Sequence, residues 1–137
     1  MNERWSFLEE EPIRNLGWAR PHRETPAWQR AIDLAVACYR LCERFPQPEG
    51  RELGTEIVQS AAAVPTAIAI GQEEAEAAEY RQQLSVANGK LARLEALFDL
   101  AERLGFASEQ DTAPARTLIA HLHELIATLH DRLGGIP

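Results

Sequence analysis

The side chains best equipped for chemistry fall into three groups: two cysteines, a run of glutamates and three histidines. Cys38 and Cys42 lie four residues apart, so on a helix they share one ridge with poor geometry for a disulfide. No Cys-x-x-Cys or paired Cys/His spacing supplies the further ligands that a two-thiolate metal site needs. The pair reads as apolar packing. Glu73, Glu74, Glu76 and Glu79 are dense enough to suggest a metal or acid–base site, yet no His accompanies them at the Glu-x-x-His spacing of di-metal bundles. Acidic residues belong in the first turns of a helix, where the dipole favours them, and these are read there. His121, His123 and His130 do not converge: His123 and His130 share a helix face two turns apart, while His121 points elsewhere. They read as rim histidines with weak pH sensitivity. No nucleophile elbow, phosphate-binding loop, HExxH pair or dinucleotide glycine pattern is present. The reading is therefore non-catalytic, with no cofactor and no metal.

Charge argues in the same direction. Fourteen basic residues face 21 acidic ones, a net charge of −7, and the basic residues form no block. Phosphate binding relies on Lys and Arg to displace counterions, so nucleic acid is disfavoured as a partner. No stretch approaches about 18 consecutive apolar residues, and the start, MNERWSFLEEE, lacks the basic-then-apolar layout of a secretory signal. A cytoplasmic protein without a membrane partner is expected.

The elements that position these groups are helices. Residues Glu79 to Gly105 hold the longest helical pattern: Tyr80, Leu84, Ala87, Leu91, Leu94, Phe98 and Ala101 alternate in steps of four and three and form one stripe. Gly89 interrupts this helix without breaking its period, and marks a point where another helix backbone comes close. A first helix opens at Thr25-Pro26, a side-chain cap followed by a residue suited to the first turn. Its predicted apolar face is Trp28, Ala31, Ile32, Ala35, Tyr39, Cys42 and Phe45, and Pro46 and Pro48 stop it. A second helix begins near Glu49 to Glu52 and runs through Leu53, Ile57, Ala61, Val64 and Ile68, with a kink at Pro65 and an end at Gly71. A fourth starts between Ser108 and Pro114, where Ser108 and Asp111 resemble a capping box. It carries Leu118, Leu122, Leu125 and Leu129, with Ile119, Ile126 and Leu133 widening the stripe.

Four amphipathic helices with short connections predict an all-α fold, an antiparallel up-down four-helix bundle over residues 25–134 with a kinked second helix. Residues 1–24 form an irregular N-terminal extension, too apolar for a solvated tail, whose Trp5, Phe7 and Trp18 are candidate contacts for a protein partner. The second helix changes character beyond Gln59. From Ser60 to Gly71 nearly every residue is small or apolar, and a helix apolar all round must be covered on more than one side. Ala61, Ala62, Val64, Pro65, Ile68 and Ile70 are accordingly read as a homo-oligomer interface.

Particular residues add to this pattern. Trp28-Gln29-x-Ala31, Tyr39, Phe45-Pro46, Ser60-Ala61-Ala62-x-Val64-Pro65, Ala69-x-Gly71, Ala87-x-Gly89-x-Leu91-x-x-Leu94-Glu95 and Leu104-Gly105 resemble, in order and spacing, the four-helix-bundle family found in intervening sequences of bacterial 23S ribosomal RNA genes. The likeness covers about Pro26 to Leu133. It implies a homopentamer, and it is similar to the accessory variability protein of diversity-generating retroelements, a basic pentameric barrel that binds a reverse transcriptase and nucleic acid. This chain departs from the family pattern at Gln59, Ala67 and Ile70, where the family often has basic residues, Asn and Glu. The added apolar surface suits self-association or a protein partner. Two functions follow: a non-catalytic oligomeric scaffold binding a protein, and an RNA- or retroelement-associated accessory protein.

Overall fold

The computed structural model describes residues 23, 25–74 and 76–134. Four helices follow in chain order: α1 (Pro26–Glu43), α2 (Arg51–Glu73), α3 (Ala77–Arg103) and α4 (Glu109–Gly134). Each packs on its chain neighbours, and α4 returns to pack on α1. The result is a square up-down bundle with one core at its centre.

Thr25 caps α1 as its side-chain oxygen accepts from the Trp28 N–H at 3.3 Å, with Pro26 in the first turn. The buried face of α1 is Ala27, Ala31, Leu34, Cys38 and Leu41, rotated by one position from the predicted stripe. Of that stripe Ala31 and Phe45 are buried, Trp28, Ile32, Ala35 and Cys42 are half-buried, and Tyr39 is 56% exposed. The physical reason is that α1 carries two apolar stripes side by side. Periodicity detects both, and only the position of three other helices selects one.

In α2, Ile57, Ala61, Val64 and Ile68 are fully buried in the core. The helix runs unbroken through Pro65, whose missing N–H deprives the Ala61 carbonyl of its helical donor. It also passes Gly71 and ends at Glu73, so Gly71 is a contact point and not a terminator. A Cβ built there would lie 2.6 Å from Cδ1 of Tyr80, and Tyr80 has no exposure into which to retreat. Gly71→Ala is expected to destabilise the bundle by about 1–3 kcal/mol through overpacking, read as a lowered thermal midpoint. An unchanged midpoint would show that the α2–α3 contact yields freely.

The α3 stripe is as its spacing predicts: Tyr80, Leu84, Ala87, Leu91, Leu94, Phe98 and Ala101 all have zero exposure. Gly89 is different. It is exposed, and a Cβ there would meet nothing within 4 Å, so no helix of this chain crosses over it. At the C-terminus of α3, Gly105 adopts φ 79°. Phe106 N donates to Ala101 O at 2.9 Å and Gly105 N to Glu102 O at 3.0 Å. That is the paired closure a left-handed glycine permits, and it brings Phe106 against Phe45, ring centres 5.7 Å apart.

The capping box of α4 forms reciprocally: Ser108 N donates to Asp111 Oδ2 at 2.9 Å, and Asp111 N donates to Ser108 Oγ at 3.1 Å. Ile119, Leu122, Ile126, Leu129 and Leu133 are buried, while Leu118 and Leu125 lie at the core's edge. The Ser108 backbone N–H, the Ser108 hydroxyl and the Arg44 guanidinium hold the Asp111 carboxyl below the usual carboxylate range. The Thr112 hydroxyl and Arg116 do the same for Glu102. Both groups have folded-state values below their unfolded ones. Their contribution is therefore complete above the ordinary carboxylate pKa and lost as pH falls through the folded value. Thermal midpoints measured from about pH 6 down to about pH 3 should fall, and less steeply in Asp111→Asn. An equally steep fall in that variant would remove Asp111 from the account.

Candidate interaction surface

The two thiols are held in unreactive settings. Burial, and then the neighbouring Cys42, push the Cys38 thiol up to about 12, and burial pushes Cys42 up to about 11. Both thiols stay protonated at neutral pH and make poor nucleophiles or ligands. The glutamates do not gather at one helix start as predicted. Glu73 closes α2 and Glu74 follows it, while Glu76 precedes α3 and Glu79 lies in its first turn. Partial desolvation, with Glu79 close by, raises the Glu74 carboxyl. His121 is exposed, and His123 sits half-buried with Nδ1 3.2 Å from Asn88 Oδ1. Among the described residues no group of three His, Cys, Asp or Glu is placed to hold a metal ion.

One polar cluster escaped the sequence reading. Arg116 of α4 pairs through Nη2 with Asp99 at 2.8 Å and Glu102 at 3.0 Å on α3, donates from Nε to Thr112 Oγ1 at 3.2 Å and lies 5.5 Å above the Phe98 ring. Thr112 donates its hydroxyl to Glu102 Oε2 at 2.7 Å. An open cavity of about 590 Å³ runs beside it, lined also by Glu109 and Thr117. Asp99/Glu102 and Thr112/Arg116 are each visible in sequence as helix-face pairs, but their meeting needs the α3–α4 register. With every charge already engaged, the cluster acts as a clasp between helices. Arg93 clasps α2 to α3 in the same way, through Glu56 at 2.7 Å and Ser60 Oγ at 2.9 Å, and Arg44 joins α1 to α4 through Asp111.

Beyond Glu56 the outward surface of α2 carries no such charge: from Gln59 through Ala62 and Thr66 to Ile70 its exposed residues are small or uncharged, and the next exposed charge is Glu73. Six residues were assigned from sequence to an interface between copies, and the structure divides them. Ala61, Val64 and Ile68 have zero exposure and Pro65 is buried, so these four pack inside their own chain and are corrected to core. Ala62 and Ile70 remain at the surface, Ile70 43% exposed. The cause is the small size of the helix: a face serving the subunit's own core must be filled before any is left for a neighbour. Trp5, Phe7 and Trp18 lie outside the described residues. By length and composition alone α2 could cross a membrane, as core helices often can, and 44% of its apolar window is buried in the bundle.

A closed helical core, charge clasps along its seams and one uncharged outward strip define a small four-helix-bundle protein whose distinguishing surface is α2. The chain belongs to the 23S rRNA-intervening sequence protein family, whose family model matches residues 23–128 and so spans all of α1, α2 and α3 and most of α4. Comparison with curated proteins returned no match.

Proposed function

We propose that this chain is a non-catalytic cytoplasmic scaffold that assembles with copies of itself, as a pentamer on the family likeness, and engages a protein partner. One observation supports the reading above others: beyond the Glu56–Arg93 pair the outward face of α2 runs from Gln59 to Ile70 without a charge, in a chain where 26% of residues are charged. Such a strip is unusual on a surface left to water, and it suits the dry centre of an interface. The leader's Trp5, Phe7 and Trp18 supply aromatic anchors of the kind that dominate protein–protein contacts. Light scattering behind a sizing column tests the assembly. A mass about five times the 15.3 kDa of one chain is expected, and a single-chain mass at micromolar concentration would overturn it.

The family match favours a second reading, an accessory protein that binds RNA or DNA. The net charge of −7 weighs against it, because such binding draws on displaced counterions and weakens steeply with salt. Fluorescence anisotropy with mixed RNA and DNA at low salt separates the two. Tight, salt-sensitive binding would replace the scaffold reading with this one.

A further inference from the structure

The side of α1 turned away from the core is not built for water alone. Beside the buried stripe, Ile32 is half-buried, and Val36 and Tyr39 stand 47% and 56% exposed, three residues apart on one face. We infer that this face is a docking site for the chain's own leader, residues 1–22, which lie outside the described residues. Ile13, Leu16 and Trp18 seat on Ile32, Val36 and Tyr39, and the carboxylates of Glu9, Glu10 and Glu11 lie beside Arg40. The contact is made within one chain, so it needs no second copy and stands apart from the self-association reading.

Three observations select that occupant. The first is where the chain enters α1. Gln29 Nε2 donates to the Arg23 carbonyl at 2.8 Å, which holds Arg23 alongside the opening turns of the helix instead of beyond its end. Gln29 is exposed, and Val36 and Arg40 follow it by seven and eleven residues, two and three turns along the same outward face. The chain thus arrives at Thr25 across the outer flank of α1, at the foot of the apolar face.

The second is composition. Trp5, Phe7, Leu8, Ile13, Leu16 and Trp18 give the leader apolar surface that gains by leaving water, and the α1 face has the same need. A segment tethered beside its site meets it at an effective concentration on the order of millimolar. The other neighbouring exposed pair, Leu100 and Leu104, lies on the last turns of α3, whose following Phe106 packs on Phe45 beyond the far end of α1. That pair is at the opposite end of the bundle from Arg23.

The third is charge. Arg30 pairs with Asp33 and Arg44 with Asp111, whereas the exposed Arg40 makes no ion pair with any described residue. The leader carries one acidic run, Glu9-Glu10-Glu11, and it can reach. Gln29 to Arg40 is about 17 Å along the helix at 1.5 Å per residue, while the chain from Arg23 back to Glu11 spans up to about 40 Å when extended. A protein partner that takes the leader's tryptophans must therefore draw them off α1, and the two compete.

Limited trypsin digestion of the full chain tests the contact. Arg14 lies between Ile13 and Leu16, so cleavage after it follows the population of undocked leader. Val36→Ser with Tyr39→Ser is expected to speed this cut by about tenfold. Leu100→Ser with Leu104→Ser, a like loss of exposed apolar surface on α3, should leave it at the parent's rate. If the α1 variant loses helix by circular dichroism, Leu16→Ser with Trp18→Ser, outside the bundle, replaces it and should speed the same cut. Equal rates in the parent and these variants overturn the docking. Protection that disappears on about a hundredfold dilution puts the leader on another copy and overturns docking within the chain. The expected rates are the same whether the parent is one chain or several, so this inference and the self-association reading fail separately.

Discussion

Replacing Ala62 with glutamate should dissolve the assembly and leave the bundle intact. Ala62 is exposed in the single chain, so the new carboxylate costs the fold little. In an assembled protein it would be buried against another copy without a partner charge, a change that costs several kcal/mol. A loss of about 3 kcal/mol at a junction weakens it more than a hundredfold, and a closed assembly suffers it at every junction. Size-exclusion light scattering is expected to show one-chain mass for Ala62→Glu with an unchanged helical spectrum. The adjacent substitution provides the contrast. Ala61 has no exposure, so Ala61→Glu puts the charge into the chain's own core, and loss of helix by circular dichroism is expected. If the two variants behaved alike, the division of α2 into a core side and a partner side would be wrong.

Phe98→Ala should be among the most damaging single truncations in the core. Phe98 is fully buried on α3 and supports the Arg116 guanidinium 5.5 Å above its ring. It is thus tied both to the central packing and to the clasp that holds α4. Removing a buried phenylalanine costs about 3–5 kcal/mol, from lost transfer energy and the cavity left behind. For a domain of this size that corresponds to a fall of roughly 10–20 °C in thermal midpoint. The neighbouring ion pairs are partly exposed, with the Arg116 side chain 31% accessible, so their own share is small. Arg116→Met should therefore move the midpoint much less than Phe98→Ala. A reversed order would mean that the clasp, and not the core, holds α3 to α4.

These two predictions draw on parts of the chain that were not equally legible beforehand. Tyr80 to Ala101 could be read directly, because that stripe is continuous along α3 while the apolar residues off it, such as Val86 and Leu100, are scattered, and burial of the continuous stripe fixes the orientation. The Ser108/Asp111 box and the Gly105 terminus were equally readable, since caps are local and depend on residues three to five apart. On α1 the same method chose the stripe beside the true one, because Ala27-Ala31-Leu34-Cys38-Leu41 and Trp28-Ile32-Ala35-Tyr39 are both apolar. On α2 it joined Ala61, Val64, Pro65 and Ile68 to Ala62 and Ile70, since a helix apolar all round has no polar side to mark the outside. Arg116, Asp99 and Glu102 meet across a helix pair, and no spacing within either helix foretells that meeting.

The amino-acid order alone determined that this chain makes four helices, that Thr25 caps α1 and Ser108 and Asp111 cap α4, and that α3 closes at Gly105. Those properties follow from near neighbours along the chain: caps, prolines and the 3.6-residue period. Which of two apolar stripes turns inward, which alanine of the Ala61-Ala62 pair meets solvent and which charges find one another were decided only by the tertiary structure. Each depends on the rotation of one helix against two others, and that rotation minimises the exposed apolar surface of the bundle as a whole.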